Sequence, residues 1–213
     1  MKLYSYWRST AAYRVRIALN IKQLDCEYKA IHLVKDGGQH HQIDYKSLNP
    51  QSLVPALELD DGQILTQSLS IIDYLEEIYP RNSVYPNNII KKAQAKAIAL
   101  SIACDIHPLN NLRVLKYLKG VDWQQEQVDK WYAHWIHEGF TAIELQLNRT
   151  AGKFCFGNKV SIADIFLVAQ VYNANRFNVP LDDYPLIEKI NTYCLTQQAF
   201  IDAMPENQPD CDT

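Results

Sequence analysis

The sequence lacks any long hydrophobic run: no stretch of its 213 residues approaches the roughly 18 apolar residues that span a bilayer. The N-terminal residues lead directly into a strand pattern, without the apolar segment of a secretion signal. The formal net charge is only -3 and both signs are spread along the chain, so there is no electrostatic footprint for nucleic acid or for an anionic membrane. Internal repeats and low-complexity tracts are also missing. We therefore expect a cytoplasmic globular protein with neither nucleic-acid nor membrane partners.

Paired cysteines are missing as well. The 5 cysteines are odd in number, widely dispersed, and form no Cys-x-x-Cys pair. This pattern favours reduced, mostly buried thiols over disulfide bonds. His134 and His137 lie one turn apart on a predicted helix, but no third ligand accompanies them, so we expect an exposed helix face and no metal site.

The N-terminal third alternates between strand and helix patterns. Residues 2–6 predict a strand, a helical pattern follows, and residues 26–31 predict a second strand, which makes a βαβ unit with a parallel strand pair. Residues 54–59 and 64–65 flank an Asp-Asp-Gly turn and predict a β-hairpin. A helix from about Gln67 completes a βαβ-ββα order.

The rest of the chain shows only helical patterns. Residues 80–90 hold two prolines and three asparagines without periodicity, which predicts a linker at residues 81–90 between domains at residues 1–80 and 91–213. Apolar residues at helical spacing include Ala93, Ala97, Leu100 and Cys104, and later Ile136, Phe140, Ile143 and Leu147. Ser161 and Asp164 have the spacing of a capping box at the start of a core helix, and the tail from Pro205 is expected to fray.

Three short segments suit an anionic peptide ligand. Ser9 and Thr10 open a helix, where hydroxyls either cap the helix or hold a thiolate at the positive end of its dipole. The Val54-Pro55 pair heads a strand; a cis bond would turn the preceding backbone towards a peptide ligand, and an ordinary trans entry is the alternative. The Gln67-Ser68 pair starts another helix, where it serves as a cap or holds a carboxylate.

Residues 9–19, Ser-Thr-Ala-Ala-Tyr-Arg-Val-Arg-Ile-Ala-Leu, resemble the zeta class of the glutathione transferases, in which this helix opens with Ser-Ser-Cys-x-(Trp/His)-Arg-Val-Arg-Ile-Ala-Leu. Two positions depart from that pattern, because Ala11 replaces the class cysteine and Thr10 its second serine. The resemblance runs over nearly the whole chain and includes Lys35-Asp36-Gly37-Gly38-Gln39, Leu48-Asn49-Pro50, Val54-Pro55, Gln67-Ser68-Leu69, Pro108-Leu109, Asn111-Leu112 and Asn173-Ala174-Asn175-Arg176-Phe177.

The resemblance implies a thioredoxin-like domain that binds glutathione, an all-helical second domain, and a homodimer. It implies that the backbone of Val54, before a cis Pro55, pairs with the cysteinyl part of glutathione, and that Gln67 and Ser68 hold the γ-glutamyl carboxylate. Ser9 would hydrogen-bond the sulfur, with Thr10 beside it. Further residues at site positions of the class are His40, His107, Asn111 and Arg113, of which the two histidines stand where the class often has glutamine.

The same resemblance implies the activity of a maleylacetoacetate isomerase, an enzyme of tyrosine and phenylalanine breakdown. A thiolate that adds to the cis alkene makes the double bond single, so the bond rotates before the thiolate leaves. Arg8 and Arg176 are candidates to hold the dicarboxylate substrate and the enolate formed from it; a surface arginine and a helix-end cation are the alternatives. Arg14 and Arg16 are expected to brace the fold or the neighbouring loop.

Two other functions stay open at this point. One is a different glutathione-dependent activity of the same class, namely a maleylpyruvate isomerase or an enzyme that dehalogenates or conjugates small halogenated acids. The other is a non-catalytic binding module with the same fold. For such a module we would expect substitutions at Ser9, Val54-Pro55 or Ser68, and none is present.

Overall fold

The computed structural model describes residues 1–211 and divides into two compact units. Unit 1 comprises Met1–Val84 together with the chain from Gln197 onward, and unit 2 comprises Tyr85–Thr196. The sequence-based domain boundaries, 1–80, 81–90 and 91–213, stay a prediction. They differ from these units in where the residues from Gln197 onward are placed.

The regular elements follow one another in chain order as β1 (Lys2–Ser5), α1 (Thr10–Lys22), β2 (Glu27–Ala30), α2 (Ile43–Leu48), β3 (Ala56–Glu58), β4 (Ile64–Thr66), α3 (Ser68–Ile78), α4 (Ile89–Leu100), α5 (Leu112–Gly120), α6 (Gln125–Leu147), α7 (Ile162–Arg176), α8 (Pro185–Cys194) and α9 (Gln198–Ala203). Short 3-10 turns occur at Lys35–Gly37, Gln39–His41 and Pro205–Asn207. A π-helical turn at Ser101–Ile106 follows α4.

Unit 1 is built on one four-stranded sheet with the strand order β2-β1-β3-β4. β1 pairs in parallel with β2 and antiparallel with β3, and β3 pairs antiparallel with β4. This arrangement confirms the thioredoxin-like N-terminal fold and the predicted order of the four strands with α1 and α3. The predicted βαβ-ββα order lacks α2, which lies between β2 and β3.

The core of unit 1 forms because apolar side chains of β1, β3, α1 and α3 face one another. Leu3, Val15, Leu57 and Ile72 are each no more than 2% exposed, and burial of such a side chain contributes about 1.5–3 kcal/mol. α1 also packs against α9, whose Phe200 is fully buried. The expectation that the tail frays from Pro205 is wrong, because Pro205 is buried and begins a 3-10 turn.

Unit 2 contains α4 to α8 and confirms the all-helical prediction, apart from isolated β-bridges at Ala151–Gly157 and Phe154–Gly157. The predicted apolar stripe of α6 is correct, since Ile136, Phe140, Ile143 and Leu147 are all buried. For α4 the helix is confirmed, but the stripe picked out by its spacing faces outward: Ala93, Ala97, Leu100 and Cys104 are exposed. The buried face of α4 and the turn after it holds Ala95, Ile98, Ala99, Ile102 and Ile106.

The capping box at the start of α7 is confirmed. The carboxylate of Asp164 accepts hydrogen bonds from the N–H of Ser161 (2.7 Å), from the Ser161 hydroxyl (2.7 Å) and from the N–H of Cys155 (2.7 Å). Complete burial raises the pKa of Asp164, while these donors oppose the rise. Asp164 is therefore committed to holding the start of α7, and no part in catalysis is needed to explain it.

The five cysteines are all free, but only Cys155 and Cys194 are buried, so the expectation of mostly buried thiols is wrong. No helix formed by residues 1–211 combines the length and the apolar character that crossing a bilayer requires. In the same part of the chain, no three His, Cys, Asp or Glu side chains cluster where they could hold a metal ion.

A buried ion pair joins the end of α1 to α3. The ammonium of Lys22 lies 2.7 Å from a carboxylate oxygen of Glu76, and the two side chains are 0% and 9% exposed. Lys22 also donates to the carbonyls of Tyr79 (2.7 Å) and Arg81 (3.3 Å). The same Glu76 carboxylate accepts a hydrogen bond from the N–H of Val84 (3.0 Å). The Lys22–Glu76 pair therefore fixes the chain at Val84, where the first segment of unit 1 ends.

We predict that Lys22→Met lowers the free energy of unfolding by about 3–5 kcal/mol, because it leaves the Glu76 carboxylate buried without its cation. The matched control is Lys130→Met, which removes the cation of an exposed ion pair with Glu126 (2.6 Å) and should leave stability nearly unchanged. Chemical unfolding monitored by circular dichroism makes the comparison. Equal stability of the two variants would contradict the structural role assigned to Lys22.

Candidate active site

The topology of unit 1 brings three predicted segments to one edge of the sheet. β1 ends at Ser5, and its neighbour β3 runs the opposite way, so that Tyr4 pairs with Ala56 at the start of β3. Ala56 in turn pairs with Thr66, the last residue of β4. The segment after β1, the Val54-Pro55 pair before β3 and the Gln67-Ser68 pair after β4 therefore emerge side by side.

Residues 6–9 form the β1–α1 loop, which ends at the helix cap Ser9. The Ser9 hydroxyl oxygen accepts a hydrogen bond from the N–H of Ala12 (3.2 Å), so Ser9 caps α1. Capping uses a lone pair of the hydroxyl oxygen and leaves its proton free to be donated. The two readings of Ser9 are therefore compatible, and its side chain is partly exposed beside the buried Thr10.

Arg16 confirms the expected bracing role, since its guanidinium holds the β1–α1 loop from beneath. It is only 4% exposed and donates to the carbonyls of Tyr6 (3.4 Å) and Trp7 (3.0 Å). It also donates to the Ser5 hydroxyl (3.2 Å) and to the carbonyl of Ala203 (3.1 Å). The N–H of Ser9 bonds to the same Tyr6 carbonyl (2.9 Å), so the position of Ser9 follows from that of Arg16.

Arg8, the residue before the cap, is half-buried in this loop. Its guanidinium stacks over the Trp7 ring at 4.7 Å and donates to the Tyr6 hydroxyl (3.2 Å). A guanidinium has five N–H donors, so these contacts orient the Arg8 side chain and leave donors for further hydrogen bonds. The arrangement suits an arginine held ready for an anion beside Ser9.

The Val54-Pro55 peptide bond is cis, as the family resemblance implies. The carbonyl of Leu53 is fixed by the hydroxyl of Tyr45 (2.7 Å) and by the side-chain amide of Asn49 (2.8 Å). Burial raises the pKa of Tyr45 to about 12, so this hydroxyl remains a donor at neutral pH. Within residues 1–211, the N–H and the carbonyl of Val54 have no hydrogen-bond partner, which leaves both available to an extended peptide.

Gln67 and Ser68 stand at the start of α3. Gln67 is exposed and has a positive φ of 68°, an unusual backbone conformation for a residue other than glycine. Its side-chain amide donates to Gln51 (3.1 Å). The Ser68 hydroxyl accepts from the buried Arg14 (3.4 Å), so a cation lies beneath the N-terminus of α3. Arg14 therefore also has the bracing role expected from the sequence.

His40 lies on the segment that follows β2. His32 and Gln39 close this segment: the N–H of His32 bonds to the side chain of Gln39 (2.8 Å), and the N–H of Gln39 bonds to the His32 carbonyl (2.8 Å). Gly38 has a φ of 101°, and a Cβ at this position would collide with the His40 ring. His40 is buried with its ring 3.8 Å from that of His41, so the segment holds it in one orientation.

Four predicted site residues belong to unit 2: His107, Asn111, Arg113 and Arg176. The N–H of His107 closes the π-helical turn on the carbonyl of Ile102 (2.9 Å). Asn111 caps α5 by accepting from the N–H of Arg113 (3.1 Å), whose side chain is exposed.

Arg176 is the last residue of α7 and is exposed. Its guanidinium lies 4.9 Å from the Phe177 ring, which stacks on Tyr132 with ring centroids 3.7 Å apart. This aromatic contact holds the side chain near the helix end, where its charge also complements the helix dipole.

Sequence reasoning missed the residues that hold the site from behind. Tyr45 and Asp210 are two of them, and neither stands at a position that suggests chemistry. Asn49 lies within the Leu-Asn-Pro string of the resemblance, but its contact with Leu53 depends on tertiary structure. No signal in the sequence could have identified Asp210.

Comparison with known proteins agrees with this geometry. Residues 3–83 match the family model of the glutathione S-transferase N-terminal domain. A curated relative from Vibrio cholerae, a probable maleylacetoacetate isomerase, is 49% identical over 98% of this chain and 97% of its own.

Two solved structures are similar over the whole length of both chains. The holo structure of a maleylpyruvate isomerase, described as a bacterial zeta-class glutathione S-transferase, has a TM-score of 0.95 at 42% identity and covers 100% of each chain. A maleylacetoacetate isomerase from Methylobacterium extorquens with bound malonate and glutathione has a TM-score of 0.94 at 36% identity, again over 100% of each chain. The chain belongs to the zeta class of the glutathione transferase family.

Proposed function

We propose that this protein is a glutathione-dependent cis–trans isomerase that converts maleylacetoacetate to fumarylacetoacetate. The observation that carries the proposal is the meeting of Ser9, Val54 and Ser68 at one edge of the sheet. Bound glutathione supplies a thiolate that adds reversibly to the cis double bond, so that the bond rotates while it is single. The protein must hold the tripeptide, keep its sulfur ionised and bind a dicarboxylate.

The residues at this edge of the sheet have the hydrogen-bonding groups and the charge that glutathione requires. The N–H and carbonyl of Val54, which are unpaired among residues 1–211, offer one donor and one acceptor to the extended backbone of the cysteinyl residue. The N-terminus of α3 offers N–H groups, the Ser68 hydroxyl and, beneath it, the charge of Arg14 to the γ-glutamyl carboxylate. Gln67 contributes its side-chain amide at the same helix start. His40, His107, Asn111 and Arg113 are proposed to line the remainder of the site.

Ser9 is proposed to keep the sulfur ionised. A hydroxyl donor stabilises a thiolate more than a thiol, and the positive end of the α1 dipole acts in the same direction, so both lower the thiol pKa. The hydrogen bond that the Ser9 oxygen accepts from the N–H of Ala12 holds this hydroxyl in place for donation to the sulfur. Thr10 flanks the position, and Ala11 adds no competing thiol.

Arg8 and Arg176 are proposed to bind the substrate's carboxylates and the negative charge that develops on its carbonyl oxygen. The stacking of Arg8 on Trp7 reduces the side-chain entropy lost on binding an anion. A dicarboxylate ligand agrees with the malonate found together with glutathione in the Methylobacterium structure.

Maleylpyruvate isomerisation is the second candidate function. It is supported by the maleylpyruvate isomerase that this chain resembles at a TM-score of 0.95 and 42% identity. Both substrates are cis dicarboxylates with an activated double bond, so the same residues would serve the same chemistry. The choice between them depends on the group beyond the double bond.

The activity is tested with purified protein and maleylacetone, a stable analogue of the first substrate, with and without glutathione. We expect isomerisation that requires glutathione and does not consume it. Maleylpyruvate, assayed in parallel, decides between the two candidate functions by the ratio of the kcat/KM values. Absence of turnover of both substrates in the presence of glutathione would refute the enzymatic proposal.

We predict that Ser9→Ala raises the thiol pKa of bound glutathione and lowers the rate of isomerisation at neutral pH. The ultraviolet absorbance of the thiolate, followed against pH, measures the change, and each pKa unit corresponds to about 1.4 kcal/mol. Ser70→Ala is the control, since Ser70 is an exposed serine of α3. An unchanged titration in Ser9→Ala would remove Ser9 from the mechanism.

We predict that Arg176→Ala reduces kcat/KM for the maleyl substrate by about ten- to a hundredfold, because a charge-assisted contact to its carboxylate is lost. Arg176→Lys should recover part of the loss, since it keeps the charge without the planar fork. Arg149→Ala, at another exposed arginine of unit 2, is the control. Activity close to that of the wild type in both Arg176 variants would leave this residue as a helix-end cation only.

We also propose that the protein acts as a cytoplasmic homodimer. Free cysteines suit a reducing compartment. Ile89 and Ile90 at the start of α4 are 81% and 65% exposed, and apolar side chains of this size are what an interface would cover. Light scattering at micromolar concentration is expected to give the mass of two chains, and the mass of one chain would refute the dimer.

A further inference from the structure

The C-terminal segment, residues 197–211, reaches the β1–α1 loop within unit 1. The carboxylate of Asp210 accepts a hydrogen bond from the N–H of Trp7 (3.1 Å) and another from the hydroxyl of Tyr28 (2.6 Å). Cys211 packs against the apolar cluster that contains Tyr6, Trp7, Tyr45 and Val54. The end of the described chain is therefore joined to two of the three segments that build the site.

The segment is itself well ordered by internal contacts. The side chain of Gln208 donates to the carbonyls of Asp202 (2.9 Å) and Met204 (2.8 Å), and Asn207 donates to the carbonyl of Ile201 (2.7 Å). Asn20 of α1 donates to the carbonyl of Ala199 (3.0 Å), which ties the segment to the helix that carries Ser9. Asp210 is thus presented from a fixed support.

Trp7 is held by opposite charges at its two backbone groups. Its N–H points to the Asp210 carboxylate, and its carbonyl accepts from the Arg16 guanidinium (3.0 Å). Arg16 in turn donates to the carbonyl of Ala203 in the C-terminal segment (3.1 Å). Hydrogen bonds to charged groups are stronger than neutral ones, so these contacts oppose rotation of the peptide groups on either side of Trp7.

We propose that Asp210 is a positioning residue for the glutathione thiol site, acting through Trp7 on Arg8 and Ser9. Its carboxylate fixes the N–H of Trp7, and Arg8 and Ser9 follow directly in the chain. A loop that is fixed in advance loses less entropy when it binds a ligand, and it keeps the Ser9 hydroxyl aimed at one point. This inference rests on the proposed function of the site.

The proposal is tested with Asp210→Asn, Asp210→Ala and Tyr28→Phe. Asparagine keeps one acceptor oxygen and so preserves at most one of the two contacts, alanine removes both, and Tyr28→Phe leaves the carboxylate but removes one of its anchors. The matched control is Asp202→Asn, at an exposed aspartate of the same segment whose carboxylate accepts from Gln198 (2.6 Å). The measurements are the thiol pKa of bound glutathione, its Kd by calorimetry, and the melting temperature.

We expect both Asp210 variants to raise the thiol pKa and to weaken glutathione binding by roughly three- to tenfold, with alanine the stronger and Tyr28→Phe intermediate. The Asp202 control should match the wild type. A lower melting temperature with an unchanged thiol pKa and Kd would overturn the proposal, since a purely structural contact moves only stability. If Asp210→Ala does not fold, Asp210→Asn and Tyr28→Phe decide by the same criterion.

Amide hydrogen exchange of the ligand-free protein separates this inference from the proposed function. We expect the Trp7 and Ser9 amides to exchange faster in Asp210→Asn than in Asp202→Asn, whether or not glutathione binds. Failure of the wild type to bind glutathione would refute the function and leave this difference intact. Equal exchange in the two variants would refute the positioning role and leave the function intact.

Discussion

The buried guanidinium of Arg16 is the interaction on which the candidate site depends. A charge that is 96% withdrawn from solvent is costly unless hydrogen bonds satisfy it, and here acceptors come from the end of β1, the β1–α1 loop and α9. These acceptors are mostly backbone carbonyls, so the cost of burying one arginine is offset only when two segments that are distant in sequence, residues 5–7 and α9, take up their native positions. The loop that presents Ser9 is therefore determined by the fold of the whole unit.

Dependence on the fold of the whole unit also explains why the site needs so few distinctive residues in the local sequence. Ser9, Val54 and Ser68 are ordinary residues, and each one alone reads as a cap or a strand entry. The role proposed for them depends on the antiparallel pairing of β1, β3 and β4, which makes the end of one strand the neighbour of the start of the next. The chemistry then needs only a hydroxyl, two helix N-termini and free backbone groups, because glutathione brings the sulfur. This is why Ala11 can replace the class cysteine without removing the reacting group.

Much of the fold could be predicted from the sequence, because strand and helix periodicities differ and the hairpin has a clear turn. The α4 stripe shows the limit: Ala93, Ala97, Leu100 and Cys104 have helical spacing, but Ala95, Ile98 and Ile102 have it as well, and only packing decides between the two faces. The ordered structure of the C-terminal tail could not be predicted from the sequence either. Pro205 and Asp210 lie in a polar, irregular stretch. Pro205 is buried, and Asp210 is held by Trp7 of the β1–α1 loop and by Tyr28 of β2, contacts that no local pattern encodes. Ser9, Val54 and Ser68 were predicted as site residues because a family resemblance joined three weak signals.

We propose that this edge of the sheet binds glutathione through the N–H and carbonyl of Val54. Amide hydrogen exchange of Val54, measured in the free protein and at saturating glutathione, tests this mode of binding. We expect the Val54 amide to exchange freely without ligand and to become strongly protected with it, together with the amides at the start of α3. Saturable binding of glutathione with no change in the protection of the Val54 amide would contradict it.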